Sequence, residues 1–385
     1  MTSTSNLAAY PAASAPPRSV IDIAGELAPQ LAARAATFDE SDAFVADNYT
    51  LLKDAGLVEA GVPMELGGGG ADVEALAGML RLLAHGCGST ALAFAMHTHQ
   101  VAIPAWRWRH QRVAAVEPLL KRVAAERIIL LSSGGSDWIG GSGTATKVEG
   151  GYRISARKVF TSGAEAGDLL MTSALTEDGT SVIHFAAPMK AAEVSVTDTW
   201  HTLGMRGTGS HDVIIEGLMV PDAGVALTRK AGEWHPLFQI IATTAFPLIY
   251  AAYLGVAESA RDIAVGLAKG KRGASYAVEL AGRMDTELRA AQLAHRWMIE
   301  IVERNAPSAD SVNEIMIGRA LVARHAISAT ELALELAGGA GFYRRHGLER
   351  HFRDIQGARY HPLQAGPQAH YAGAMALGLP VANVY

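Results

Sequence analysis

Apolar positions along the chain change their period twice. In residues 21–35 they recur at helical spacing and predict a first helix. Residues 39–55, acidic early and carrying Leu51 and Leu52 late, predict a second helix that Gly56 ends. Residues 58–70 read as a loop with Pro63 and four consecutive glycines, Gly67 to Gly70. No suitable strand precedes those glycines and no Lys-Ser/Thr pair follows, so they form a turn and not a phosphate cradle. Val73, Leu76, Met79, Leu80 and Leu83 predict an amphipathic helix, and residues 90–103 continue as helix. From Ile128 the period falls to two. Short strands are expected at 153–155, 169–172, 181–185 and 212–215, separated by turns containing Gly, Glu and Asp. After Pro236 the helical period returns over 240–267, 283–304 and 311–336, with a last helix from near Gly347 across 350–354.

The order is helices, strands, helices, which predicts an α+β protein. A flexible N-terminal arm (1–19) precedes an N-terminal helical domain (20–125), a middle antiparallel β-domain (126–232) and a C-terminal four-helix bundle (233–385). A chain of 385 residues exceeds what one small core organises. The net charge of −5 leaves no basic footprint for nucleic acid. Cys87 is the single cysteine, so an internal disulfide and a cysteine-rich metal site are excluded, and a reducing cytoplasm is expected. The start of the chain lacks the pattern of a secretory signal. The most apolar run, 240–256, is broken by Thr243, Thr244 and Pro247, as a buried helix would be, so no membrane is expected as a partner. His97 and His99, two apart on a helix, face different ways and cannot readily share a metal, although one could line a pocket.

Three blocks place hydroxyls and glycines beside strand-forming residues. They are Ile-Ile-Leu-Leu-Ser-Ser-Gly-Gly-Ser-Asp-Trp (128–138), Lys-Val-Phe-Thr-Ser-Gly-Ala (158–164) and Leu-Gly-Met-Arg-Gly-Thr-Gly-Ser-His-Asp-Val (203–213). Glycine admits close backbone approach, and N–H and hydroxyl groups hydrogen-bond a polar ring edge or a phosphate. No Gly-x-Gly-x-x-Gly follows a strand and opens a helix, which argues against a Rossmann site.

These blocks, with Glu335-Leu-Ala-Gly-Gly-Ala-Gly-Phe342 and Arg353-Asp354 behind them, resemble the acyl-CoA dehydrogenase superfamily over nearly the whole chain. The resemblance implies FAD held between three domains in a homotetramer. It places Ser132 or Ser133 at the flavin pyrimidine edge and Gly135 and Ser136 toward the pyrophosphate. Phe160 would lie against the ring, beside Thr161, with the Ser162 hydroxyl near N5. Arg206 would anchor the flavin or the domain interface, and Arg272 would meet a phosphate. Gly338 and Gly339 would touch the FAD of a neighbouring subunit.

The sequence departs from that family where its carboxylate base should stand. Eight residues after Asp354 comes Pro362, and 244–254 holds no carboxylate. His361 precedes that proline, and its position resembles the reduced-flavin monooxygenases of the same superfamily. An imidazole titrating near neutrality could act there as a base. Arg206, His201 and His211 are alternatives, with His211 expected at the surface. Ser275-Tyr276 replaces the family's Phe-Gly and Arg283 its Gln, which suits looser binding of FAD, of FMN, or of reduced flavin from a separate reductase. The first expectation is oxidation of a CH–CH bond beside an acyl-CoA thioester, with electrons passing to FAD and an electron-transfer flavoprotein. The second is a two-component monooxygenase using reduced flavin and oxygen, with His361 as its key residue. A catalytically silent flavin-binding scaffold is the third.

Overall fold

The chain opens on a helix cap. The Ser19 hydroxyl accepts from the Asp22 backbone while the Asp22 carboxylate reaches back, a reciprocal capping box that starts helix α1, Val20–Ser41. The computed structural model describes residues 18–135, 139–271 and 274–381. The sequence pattern begins a new helix at Asp39. Instead α1 runs through it, because Asp39 is buried in an ion pair with Arg353, at 2.8 and 2.5 Å, 314 residues away. Asp42 then turns the chain in a left-handed conformation before α2, Ala46–Asp54. Helices α3 (Val73–Gly86), α4 (Gly88–Gln111) and α5 (Glu117–Glu126) complete the first helical region. Helix α5 escaped the periodicity, being one short element with two buried residues, Leu120 and Val123.

The middle of the chain is one sheet in the order β6-β7-β3-β2-β4-β5-β8, with β1 beside β4. Its strands are β1 (Leu130–Ser132), β2 (Thr144–Val148), β3 (Gly151–Lys158), β4 (Leu169–Thr176), β5 (Ser181–Pro188), β6 (Val194–Val196), β7 (Val213–Pro221) and β8 (Leu227–Lys230). Most neighbours are antiparallel, as expected. Strands β1 and β2 both pair with β4 in parallel, which corrects the purely antiparallel picture. Lys158, wholly buried, ties the sheet together by donating to the Ser142 carbonyl and hydroxyl and to the Ser173 carbonyl, at 2.6–2.9 Å.

Helix α6, Leu237–Leu267, is the spine of the C-terminal part. Among the described residues it alone is long and apolar enough to cross a membrane, yet it lies almost wholly inside the protein. Its close packing on α3 depends on Gly255, where a Cβ would lie 2.2 Å from the Arg81 carbonyl oxygen. Two more long helices, α7 (Ser275–Glu303) and α8 (Ala309–Ala337), pack with it. Short helices α9 (Leu348–Ile355) and α10 (Ala365–Ala376) close the C-terminal end, so three long helices and two short ones stand where a four-helix bundle is expected.

Candidate active site

Helix α9 delivers Arg353 and Asp354 to the junction of helices and sheet. Burial raises the Asp354 carboxyl to about 6, while a hydrogen bond from the Met205 backbone N–H opposes the rise. Gly204 fits against α9 because a Cβ there would lie 2.3 Å from the Arg353 carbonyl. The Gly-Met-Arg segment of the sheet and the Arg-Asp segment of the last helices are therefore one unit.

Beyond α9 a 3-10 turn, Gln356–Arg359, leads to His361. Arg319, buried on α8, holds this turn from behind. Its guanidinium donates to the Tyr250 hydroxyl at 2.8 Å and to the Ala358 carbonyl at 3.0 Å. Tyr250 in turn donates to the same carbonyl at 2.9 Å. The His361 Nε2 lies 2.8 Å from the Tyr253 hydroxyl, with the two rings 5.5 Å apart and 63° inclined. Desolvation lowers the His361 pKa to about 3, and the Arg319 charge and His99 push the same way. This corrects the expectation of an imidazole titrating near neutrality: His361 is neutral at working pH.

The Ser-Ser-Gly-Gly loop meets Pro362, the residue after His361. A Cβ on Gly135 would lie 2.1 Å from Pro362 Cγ, so glycine is what lets the two loops touch. Ser132 ends β1 and is half-buried. The Ser133 hydroxyl lies 3.1 Å from that of Thr172. Phe160, φ 55°, turns its ring outward in the left-handed region, 61% exposed and edge-on to Trp200 at 6.1 Å. Thr161 is buried, its N–H donating to the His211 carbonyl and its hydroxyl to the Lys158 carbonyl. A hydroxyl chain follows. Ser162 lies 2.7 Å from Ser210, Ser210 lies 2.7 Å from Thr208, and Thr208 donates to the Met205 carbonyl at 2.9 Å. Because Thr208 spends its proton on Met205, Ser210 donates to Thr208 and Ser162 to Ser210. Ser162 thus offers lone pairs outward.

The remaining sequence candidates are placed elsewhere. Arg206 donates to the Thr202 and Asp39 carbonyls and lies 3.2 Å from the Asp42 carboxylate, which is work at the α1–sheet boundary. Gly338 and Gly339 are exposed at the end of α8, near Phe342, which is 88% exposed. Ser136 and Arg272 lie outside the described residues. His211 is buried, contrary to expectation, because its Nδ1 accepts from the Thr199 and Trp200 N–H groups. His201 is exposed and lies beside Asp42 and Asp198. His97 is structural: Nε2 donates to the Val58 carbonyl and Nδ1 accepts from the Leu130 N–H. His99 donates Nδ1–H to the Ala95 carbonyl and lies close enough to His361 to affect it. An open groove of about 670 Å³ between α7 and α8, lined by Glu279, Arg283, Glu287, Glu331 and Glu335 among others, includes none of these residues. Among the described residues no cluster of three His, Cys, Asp or Glu side chains could hold a metal.

The profile of the acyl-CoA dehydrogenase N-terminal domain matches residues 23–117, and that of the C-terminal domain matches residues 248–364. The chain belongs to the acyl-CoA dehydrogenase superfamily. Members of this superfamily are flavin-dependent oxidoreductases, and the residues present fit a flavin: an outward aromatic ring, a hydroxyl chain beside it, and a glycine loop against Pro362, next to His361. The chain is 26% identical to the amino sugar nitrososynthase DnmZ of Streptomyces peucetius, covering 94% of this chain and 93% of that protein. It is 26% identical to the dibenzothiophene monooxygenase of Mycolicibacterium goodii, with 87% and 88% covered. The solved structure of KijD3 in complex with FMN and dTDP-3-amino-2,3,6-trideoxy-4-keto-3-methyl-D-glucose superposes with a TM-score of 0.84 at 26% identity, covering 96% and 97%. These relatives favour the second of the expected chemistries over oxidation of a CH–CH bond.

Proposed function

We propose that this protein is a two-component flavin-dependent monooxygenase acting on a small molecule, with reduced flavin supplied by a separate reductase. One observation carries the reading. Next to Pro362, which packs against the Gly135 loop, stands a neutral histidine bonded to a tyrosine. A dehydrogenase needs a carboxylate there to take the proton α to the thioester. Among the described residues no carboxylate hydrogen-bonds His361 or Tyr253. The nitrososynthase and monooxygenase relatives support the same choice, and the FMN complex of KijD3 supports FMN as readily as FAD.

When bound, reduced flavin supplies the two electrons that activate oxygen. The chain's own residues do the rest. Phe160 offers a face for a planar ring, while Ser162 offers an acceptor backed by Ser210 and Thr208. His361 presents a neutral, hydrogen-bonding edge, and the apolar bodies of Tyr250 and Tyr253 keep water from its other side. A homotetramer in the cytoplasm goes with this reading, and sedimentation tests its assembly.

Oxygen mixed with reduced FMN or FAD in the presence of the protein gives the decisive measurement. Retarded reoxidation relative to free flavin, with binding tighter for reduced than oxidised flavin, is the expected result. Anaerobic bleaching of bound flavin by acyl-CoAs would instead establish the dehydrogenase and overturn the proposal.

A further inference from the structure

The hydrogen-bond inventory around His361 is closed on one side. Arg319 has five N–H donors and no acceptor. Tyr250 accepts from Arg319 and spends its own proton on the Ala358 carbonyl. It therefore has no need of Tyr253. The Tyr253 hydroxyl is buried, and among the described residues its hydrogen-bond partner is His361 alone. A buried hydroxyl that fails to donate carries the full penalty of its lost hydration. The lone pair of an unprotonated Nε2 is the acceptor within reach. Burial holds the Tyr253 phenol well above its ordinary pKa, so it keeps that proton to give.

We infer that Tyr253 is a positioning residue that fixes His361 as the tautomer carrying its proton on Nδ1, so that the histidine serves the reaction as a hydrogen-bond donor and not as a base. The Nδ1 edge has no protein partner among the described residues, and His361 is only partly buried, so that N–H is left for a ligand oxygen to accept. The groups facing the ring agree. Arg319 on α8 and His99 on α4 oppose a positive charge on His361; Tyr250 and Tyr253 on α6 desolvate it. Asp354 on α9 is felt by Tyr253 and raises its pKa further. The charges that act on His361, those of Arg319 and His99, both oppose an imidazolium. A neutral donor stays one across the whole working pH range, whereas a base would have to cycle through the charged form that this setting rejects. The inference deepens the monooxygenase reading, in which the accepting oxygen belongs to oxygen-derived or substrate groups.

The test is nitrogen-15 NMR of histidine-labelled full-length protein, with His361→Asn assigning the signal. In the wild type, His361 should show a protonated Nδ1 and a bare Nε2 and should not titrate between pH 8 and pH 5. Tyr253→Phe, which keeps the ring, should give a tautomer mixture and move the titration toward the ordinary histidine range. Under turnover the same variant should divert oxygen to peroxide, with His361→Asn at least as severe. A wild-type signal with the proton on Nε2 would overturn the inference without any variant being needed. An unchanged tautomer in folded Tyr253→Phe would do so too. Because the NMR measurement needs no turnover, a failed monooxygenase assay beside the expected tautomer would remove the reaction class and leave the tautomer standing.

Discussion

Acid should unfold this protein early, and the loss can be worked from four structural histidines, with His361 in the candidate site adding to it in the same direction. His97, His99, His295 and His351 are buried, and desolvation lowers each from 6.5 to about 4. In the unfolded chain each takes a proton near pH 6.5; in the fold each refuses it until about pH 4. The unfolded state therefore binds more protons throughout that window, and stability falls as pH falls. Between pH 7 and pH 5 each histidine removes about 1.9 kcal/mol, or roughly 7 kcal/mol for four. Asp354 works the other way. Its carboxyl is raised to about 6, so the native state takes its proton first and recovers about 1.3 kcal/mol over the same range. A net loss of about 6 kcal/mol is comparable with the whole stability of many domains. Denaturant unfolding at pH 7, 6 and 5, extrapolated to water, measures it. His295→Gln keeps a donor for the Pro247 carbonyl and should reduce the slope near pH 5 by about 1.2 kcal/mol per pH unit. Stability that changes by less than about 2 kcal/mol across this range would refute the argument from buried neutral imidazoles.

The other expectations concern the site. Arg319→Met removes a buried cation but leaves the Ala358 carbonyl its Tyr250 donor, so stability should change by only about 1 kcal/mol in denaturation. The His361 signal in NMR should nevertheless move its titration upward, since one repelling charge is gone. Gly135→Ala forces a methyl into Pro362 and should cost about 1–3 kcal/mol in thermal unfolding, with flavin affinity falling alongside. Ser162→Ala leaves Ser210 donating to Thr208, so folding should hold within about 1 kcal/mol while reduced-flavin affinity, read by fluorescence titration, drops about fivefold.

Periodicity carried most of the architecture because long helices and alternating strands bury whole faces, and those faces are written locally. It missed elements whose reason for existing lies elsewhere. Strands β2, β6 and β8 are short and partly exposed, and are held by β3, β4, β5 and β7. The end of α1 was misplaced because Asp39 answers to Arg353, which no local window contains. The site divides the same way. His361 was legible from its distance to Arg353-Asp354, and Phe160 and Ser162 from their block. The acidity of His361 was not, since it is set first by burial and then by Arg319 and His99, which lie 42 and 262 residues away in the chain and converge only in space. A motif can announce that a histidine reaches a flavin. Whether that histidine gives a proton, takes one or holds one still depends on the hydrogen-bond ledger of the helices behind it, and here that ledger closes on a donor.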